Sequence, residues 1–512
     1  MPIAHTSAVA LQGLSGALVS VEADISSNLP GFVIIGLPDT ALGEAKDRVR
    51  AAATNSGCPL TTRKLTINLS PAALPKHGSS FDLAIAVAAL AADRMVSAQS
   101  VARVVHLGEL GLDGRLRPIT GVLPAVLAAV RAGAVAVMVP AGNADEAALV
   151  PGIRIIGVAS LLEAAIWHGG EFEQVAVDAI MPVASSPPFD DESLDLADVI
   201  GNADAVDAMQ VAAAGGHHVF LLGPPGAGKT MLAARLPGLL PDLTPDAALE
   251  VSSIRSLAGL PVGATLVTRP PLESPHHTAT AASLVGGGSG VIRPGAAARA
   301  SGGVLFLDEA PEFASTVLDA LRQPLESGVI TIHRANAVAT FPGRFQLVLA
   351  ANPCPCGQYG SRDGDCVCPP NSRRRYLAKL SGPLLDRIDI QLTVARITSA
   401  AMRISADSPV TDTATARARV VRARAIAAAR LAHTPWTLNS HVPGAWLRSA
   451  EARLAPATTA AIDRALERGG LTMRGYDRVL RLAWTLADLD SVDRPTADHL
   501  GRALYLRKAI SS

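Results

Sequence analysis

The chain has 512 residues, 49% hydrophobic and 18% charged, which is a globular rather than a disordered composition and enough length for about three domains. Lys+Arg and Asp+Glu both number 45, so the global basic excess of many nucleic-acid binders is absent. Six of the cations are lysines (Lys46, Lys64, Lys76, Lys229, Lys379 and Lys508), and each stands out from an arginine-rich background. Residues 1–10 lack a basic stretch leading into an apolar core, and the longest uninterrupted apolar run, 83–92, is far short of a membrane span. The expectation is a soluble cytoplasmic protein without membrane contact.

From the N-terminus, residues 31–36 and 64–69 read as strands, 80–92 and 123–132 as helices, and 135–139 as a further strand. Residues 181–191, MPVASSPPFDD, lack apolar periodicity and read as a linker. Strands at 218–222, 304–307 and 345–350 alternate with helical segments, which predicts an α/β fold with a parallel sheet. From residue 413 helical periodicity dominates, broken at Gly469-Gly470 and at 490–495. The expected organisation is an N-terminal domain over 1–175, a linker over 176–197, an α/β core over 198–400 and a helical region over 401–512.

The strongest motif is 223–230, GPPGAGKT, which fits G-x-x-x-x-G-K-[ST] between an apolar run and a helix-like segment, the context that this motif requires. Gly223, Pro224, Pro225, Gly226, Ala227 and Gly228 would form a loop whose N–H groups surround phosphate oxygens at a helix start. Lys229 would set a compact positive charge against the β- and γ-phosphates. Thr230 would ligate Mg²⁺, and Met231 continues the binding stretch into the helix. ATP and Mg²⁺ are the cofactors implied.

Residues 303–309, GVLFLDE, form an apolar run ending in two carboxylates. At the carboxyl end of a parallel strand, Asp308 would hold the Mg²⁺ shell and Glu309 would polarise the attacking water. The run 345–352 ends in Asn352, either a γ-phosphate or water ligand or a turn residue before Pro353. In 381–389, SGPLLDRID, Arg387 either reaches the nucleotide of a neighbouring subunit or pairs internally with Asp386 or Asp389, and the local sequence fits both. Cys354, Cys356, Cys366 and Cys368 form CxC–x9–CxC directly after Asn352. Four thiolates can satisfy tetrahedral structural Zn²⁺; reduced thiols or a redox role are the alternatives.

These motifs in order, with GVLFLDEAPEF, NPCPCG, SGPLLDRIDI and RGYDRVLRLAWTLADLD, resemble the magnesium-chelatase-like AAA+ ATPases of the ComM/YifB type over nearly the whole chain. The resemblance implies a homo-hexameric AAA+ ring with a helical lid after the α/β core. Carried over, Asn352 is similar to sensor 1, Arg387 to the trans-acting arginine finger and Arg474 to the sensor 2 arginine, whose alternative is a surface arginine. It also implies a pore hairpin at 329–341, placing His333 and Arg334 near the tip as candidate DNA contacts. Residues 271–278 with 286–288 resemble the family's insertion in the second helix, but depart from it at Leu272 and Glu273.

The N-terminal segments 75–82 and 108–119 resemble the α+β proteolytic domain of the Lon family, in its ChlI-type form. Ser80 falls at the serine position and Leu123 where the family's lysine belongs. No lysine lies between Lys76 and Lys229, and Lys76 is only four residues from Ser80, so a protease-like fold without protease activity is expected. The function implied is an ATP-driven motor promoting branch migration of branched or single-stranded DNA. The competing readings are a chelatase-type ATPase subunit remodelling a protein partner, an ATP-dependent protease and a non-hydrolysing scaffold.

Overall fold

The computed structural model describes all residues except 1–2, 28, 37–43, 73, 75, 77, 183–193, 289–291, 335–336, 361–365, 398–402, 404–410 and 509–512. Half of the expected linker over 176–197, namely 183–193, lies outside the described residues.

The N-terminal part contains β1 (Ala4–Gln12), β2 (Ser15–Ser26), β3 (Gly31–Ile35), α1 (Ala45–Asn55), β4 (Lys64–Ser70), α2 (Asp82–Ala92), β5 (Val105–His106), α3 (Val122–Arg131), β6 (Ala136–Pro140), β7 (Arg154–Val158) and α4 (Leu161–Trp167). The strands form one mixed sheet in the order β3-β4-β2-β1-β5-β6-β7. β2 alternates buried and part-exposed residues over its second half, as a strand covered on one face does. What covers it includes α2, whose eleven residues DLAIAVAALAA are all buried. Alanine and leucine favour a helix at this length, and a helix apolar on all sides is stable only inside a core.

The middle part contains α5 (Ala203–Gly215), β8 (Val219–Leu222), α6 (Lys229–Leu239), α7 (Pro245–Ala258), β9 (Leu272–Glu273), β10 (Val304–Leu307), β11 (Val329–Arg334), β12 (Ala337–Pro342), β13 (Gln346–Ala351), α8 (Pro370–Leu377) and β14 (Ile390–Thr393). β9, β10, β13, β8 and β14 form an all-parallel sheet in that order. β10 and β13 are buried along their whole length, which is why they read as continuous apolar runs rather than as alternation. Leu272 and Glu273 do not belong to an insertion. They form the edge strand of this sheet, with Glu273 held by a two-pronged bond from Arg299 at 3.0 and 2.8 Å. The paired element of that region is Gly286–Gly287 with Arg293–Pro294.

The C-terminal part is helical: α9 (Thr413–Arg430), α10 (Pro456–Glu467), α11 (Met473–Leu489) and α12 (Ala497–Lys508). Its apolar faces join Met209, Val211 and Leu232 of the α/β part in one continuous core that includes Val420, Trp484 and Leu486. Among the described residues, no helix is long and apolar enough to cross a membrane.

Candidate functional site

Three neighbouring parallel strands deliver three groups to one edge of the sheet. β8 ends at Leu222 and passes into the 223–228 loop, β10 ends before Asp308, and β13 ends before Asn352. Gly223 must be glycine because a Cβ there would lie 2.3 Å from the Val394 carbonyl oxygen. Gly226 and Gly228 have φ of +75° and +90°, the left-handed region, and a Cβ on either would meet open space. Ala227 is buried, while Met231 at the next turn is 43% exposed.

Lys229 is buried and donates from Nζ to the Gly223 oxygen at 2.6 Å, the Pro224 oxygen at 3.0 Å and Asn352 Oδ1 at 3.1 Å. All three partners are formally uncharged. Burial lowers its pKa, against the attraction of Asp308 and Glu309. The Thr230 hydroxyl donates to Asp308 Oδ2 at 2.8 Å, and the Glu309 N–H donates to Asp308 Oδ1 at 2.9 Å. Glu309 itself is left-handed (φ +50°, ψ +42°), which is unusual for a residue with a side chain. Its Oε2 lies 3.2 Å from His277 Nδ1.

Arg387 and Arg474 lie elsewhere. β14 runs parallel to β8, with Val219 opposite Ile390 and Leu222 opposite Thr393. Arg387 precedes Ile390 and therefore sits at the amino edge of the sheet, whereas the 223–228 loop leaves from the carboxyl edge. Its guanidinium pairs with Glu326 and with neither aspartate beside it. Asp389 is taken by Arg478 and by His217, 3.1 Å away, and Asp386 faces Arg474 at 3.8 Å. Burial and the nearby Arg474, Arg322 and Arg478 cations lower the Arg387 pKa. Arg474 is exposed, its side chain at 76%.

Three family models match in succession: subunit ChlI of Mg-chelatase over residues 21–143, magnesium chelatase subunit ChlI over 195–402, and its C-terminal region over 410–507. The competence protein ComM of Haemophilus influenzae is 38% identical over 510 residues, spanning 100% of this chain and 98% of that protein. YifB of Escherichia coli is 38% identical over 514 residues, 99% of this chain and 97% of its own. The chain belongs to the ComM/YifB family of magnesium-chelatase-like AAA+ ATPases. A partial match, 30% identical over 199 residues and 38% of this chain, is to a probable DNA helicase, MCM9, of Oryza sativa subsp. japonica.

In this ComM/YifB-family chain, β11 and β12 form the hairpin expected before Asn352, pairing His333 with Val338 and Arg334 with Ala337. His333 and Arg334 are exposed; 335–336 at its turn lie outside the described residues. A Cβ on Gly287 would lie 3.0 Å from Arg334 Nη2, so this hairpin stacks on the Gly286–Pro294 pairing.

The Cys354, Cys356, Cys366 and Cys368 sulfurs all lie within 4.8 Å of one another. Cys354 Sγ is 3.4 Å from Cys356 Sγ and 3.7 Å from Cys366 Sγ, and Cys356 Sγ is 3.8 Å from Cys366 Sγ. Four sulfurs at about 2.3 Å from a tetrahedral zinc stand about 3.8 Å apart. A disulfide would need about 2.05 Å.

Ser80 lines a cavity of about 360 Å³ between the N-terminal part and the hairpin of the middle part, together with Ser79, Glu109, Thr120, Arg293 and Val338. The Ser79 hydroxyl bonds Glu109. Leu123 is fully buried in an apolar cluster with Val9 and Leu107. Lys76 is fully buried, its ammonium spent on the carbonyls of Gly36, Pro71 and Leu74 at 2.8, 2.6 and 3.0 Å.

Proposed function

We propose that the chain is an ATP-hydrolysing ring motor that acts on branched or single-stranded DNA and promotes branch migration. The observation that carries this reading is the division of the candidate hydrolytic groups between two edges of one sheet. Lys229, Thr230, Asp308, Glu309 and Asn352 gather at the carboxyl edge, and Arg387 and Arg474 at the amino edge. On this reading one copy does not complete its own site; a second copy supplies the arginines head to tail, a contact whose repetition gives a ring where its rotation closes. A homo-hexamer is the ring size this family reading favours.

The residues fit a nucleotide with Mg²⁺. Lys229 is a buried cation among uncharged oxygens and awaits an anion, and the open cradle at Gly226 and Gly228 is where phosphate oxygens would lie. Thr230 and Asp308, already 2.8 Å apart, would hold the metal, which neutralises developing phosphate charge. Glu309 takes a proton from the attacking water once its carboxylate leaves His277, and Asn352 aligns that water against the γ-phosphate. Arg387 and Arg474 of the next copy bring positive charge to the leaving phosphates, so that hydrolysis in one copy reports on its neighbour.

Exposed His333 and Arg334, repeated around a ring, would make a basic collar despite the neutral subunit, and the partial likeness to a probable DNA helicase agrees with a DNA substrate. Forked or four-way DNA should stimulate ATP hydrolysis, and Lys229→Ala should abolish both the basal and the stimulated rates. A wild-type rate indifferent to DNA would overturn the DNA reading and leave the second one, a chelatase-type ATPase remodelling a protein partner, which the three ChlI family models favour. Proteolysis is disfavoured by the burial of Leu123 and the carbonyl cage around Lys76. The four cysteines suit structural Zn²⁺, because their sulfur separations match a tetrahedral tetrathiolate site.

A further inference from the structure

The four-cysteine site is bolted to the phosphate-binding loop. Cys354 stands two residues after Asn352, whose Oδ1 accepts from Lys229. Its carbonyl accepts the Gly357 N–H at 2.9 Å, closing a turn that places Gly357 with φ +78°. There Gly357 lies flat on Pro225 of the phosphate loop: a Cβ would be 2.6 Å from Pro225 Cδ, 2.7 Å from its Cγ and 3.9 Å from Asn352 Cγ. The Tyr359 N–H then reaches back to Cys354 Sγ at 3.4 Å, and the Tyr359 ring lies 3.9 Å beneath the Arg373 guanidinium.

Among its described residues this segment has little apolar matter of its own with which to hold that position. Cys354 is buried, but Tyr359 is 50% exposed and Val367 82% exposed. A loop without a core is ordered by a cross-link or not at all, and the cross-link on offer is a tetrathiolate metal. We infer that Zn²⁺ held by Cys354, Cys356, Cys366 and Cys368 braces the phosphate-binding loop through Gly357 and Pro225, so that nucleotide binding at Lys229 depends on the metal. This deepens the nucleotide-site reading above and rests on it.

The test uses the full-length protein. Mass spectrometry of the freshly purified chain should find one zinc per chain, and Cys366→Ser should lower that figure. A mercurial thiol reagent with a chelator should strip the metal. Hydrogen exchange at the 226–229 amides, in the absence of nucleotide, should then accelerate tenfold or more, while α2 of the N-terminal part stays protected. Binding of a fluorescent ATP analogue should weaken at least tenfold, and both effects should reverse when thiol and zinc are restored. Zinc-free native protein, or stripped protein with unchanged exchange at 226–229, would overturn the brace. Zinc-loaded protein that fails to bind the ATP analogue would instead overturn the nucleotide-site reading, and the exchange measurement still decides the brace.

Discussion

His277 Nδ1 stands 3.2 Å from Glu309 Oε2, so the carboxylate proposed to take a proton from water is already engaged by an imidazole. The Glu309 backbone is left-handed, an arrangement that costs about 1–3 kcal/mol in a residue with a side chain and is held partly by its N–H bond to Asp308. His277 follows the edge strand β9 and precedes the Gly286–Pro294 pairing on which the exposed hairpin stacks. It therefore lies in the chain between the edge proposed to hydrolyse ATP and the surface proposed to meet DNA. The contact is part-exposed, and such pairs contribute roughly 0.2–1 kcal/mol. His277→Ala should raise basal ATP hydrolysis by at most about fivefold and flatten its stimulation by DNA. Steady-state phosphate release with and without forked DNA reads both. A fall in basal rate with stimulation intact would show that His277 supports Glu309 rather than restraining it.

The separation of Arg387 from its own phosphate loop makes a mixing experiment decisive. Lys229→Ala should lose nucleotide binding, whereas Arg387→Ala should bind an ATP analogue normally and lose hydrolysis by a factor on the order of 10³. Mixing the two inactive variants should restore part of the rate, because an Arg387→Ala copy keeps its loop and can receive Arg387 from a Lys229→Ala neighbour. A mixture as inactive as its components, although the copies co-assemble on sizing, would mean that Arg387 does not act across an interface.

Much of this site could be read in the chain because buried parallel strands are continuous apolar runs, and their carboxyl ends are where ligands gather. Asp308, Glu309 and Asn352 each close such a run, and Lys229 opens the helix after another. What could not be read depends on contacts between distant segments. β9 has two residues, too few for any period, so Leu272 and Glu273 look like part of a loop until the sheet is assembled. The Arg387 partner, Glu326, lies 61 residues earlier, while the adjacent aspartates that seem natural partners face Arg478, His217 and Arg474. Arg474, Arg478 and Arg481 share a helical spacing, and only packing shows that Arg478 enters the core while Arg474 stays outside. Lys76 was visible as a rare lysine, but the three carbonyls that occupy it come from segments which a local reading cannot fold together.

That difference between neighbouring arginines can be measured as stability. Asp389 is buried, and the Arg478 cation with His217 outweighs burial and holds its pKa well below the ordinary range. Arg478 also donates to the Arg387 carbonyl oxygen at 3.0 Å, tying α11 to the segment that carries Arg387. Arg478→Ala leaves Asp389 short of its main partner in the interior and should cost about 3–5 kcal/mol. Arg474→Ala removes an exposed side chain and should change stability by no more than about 0.5 kcal/mol. Denaturant titration of the two variants side by side tests this. Equal losses would place Arg474 in a role that its exposure does not suggest.

A second buried pair predicts how the N-terminal part responds to acid. His106 and His168 face each other with Nε2 atoms 2.8 Å apart. Thr6 meets His106 Nδ1 at 2.7 Å and Ser100 meets His168 Nδ1 at 2.9 Å. Burial, together with His168, drives His106 well below its ordinary range, and burial alone pulls His168 down to about 4. In the unfolded chain both imidazoles take up protons near pH 6.5. Between about pH 6.5 and 4 the unfolded state therefore binds more protons than the folded one, so the pair's contribution is whole above pH 6.5 and is lost as the pH falls. The melting temperature should drop between pH 6.5 and 5, a window in which most carboxylates stay ionised. In the double variant His106→Leu/His168→Leu the protein should be less stable at pH 7, because Ser100 and Thr6 lose their imidazole partners while Thr6 keeps only the Val101 and Val104 carbonyls, but its melting temperature should depend less on pH. An unchanged slope in the double variant would assign the acid sensitivity to other groups, of which His218, also pulled down to about 4 by burial, is the next to replace.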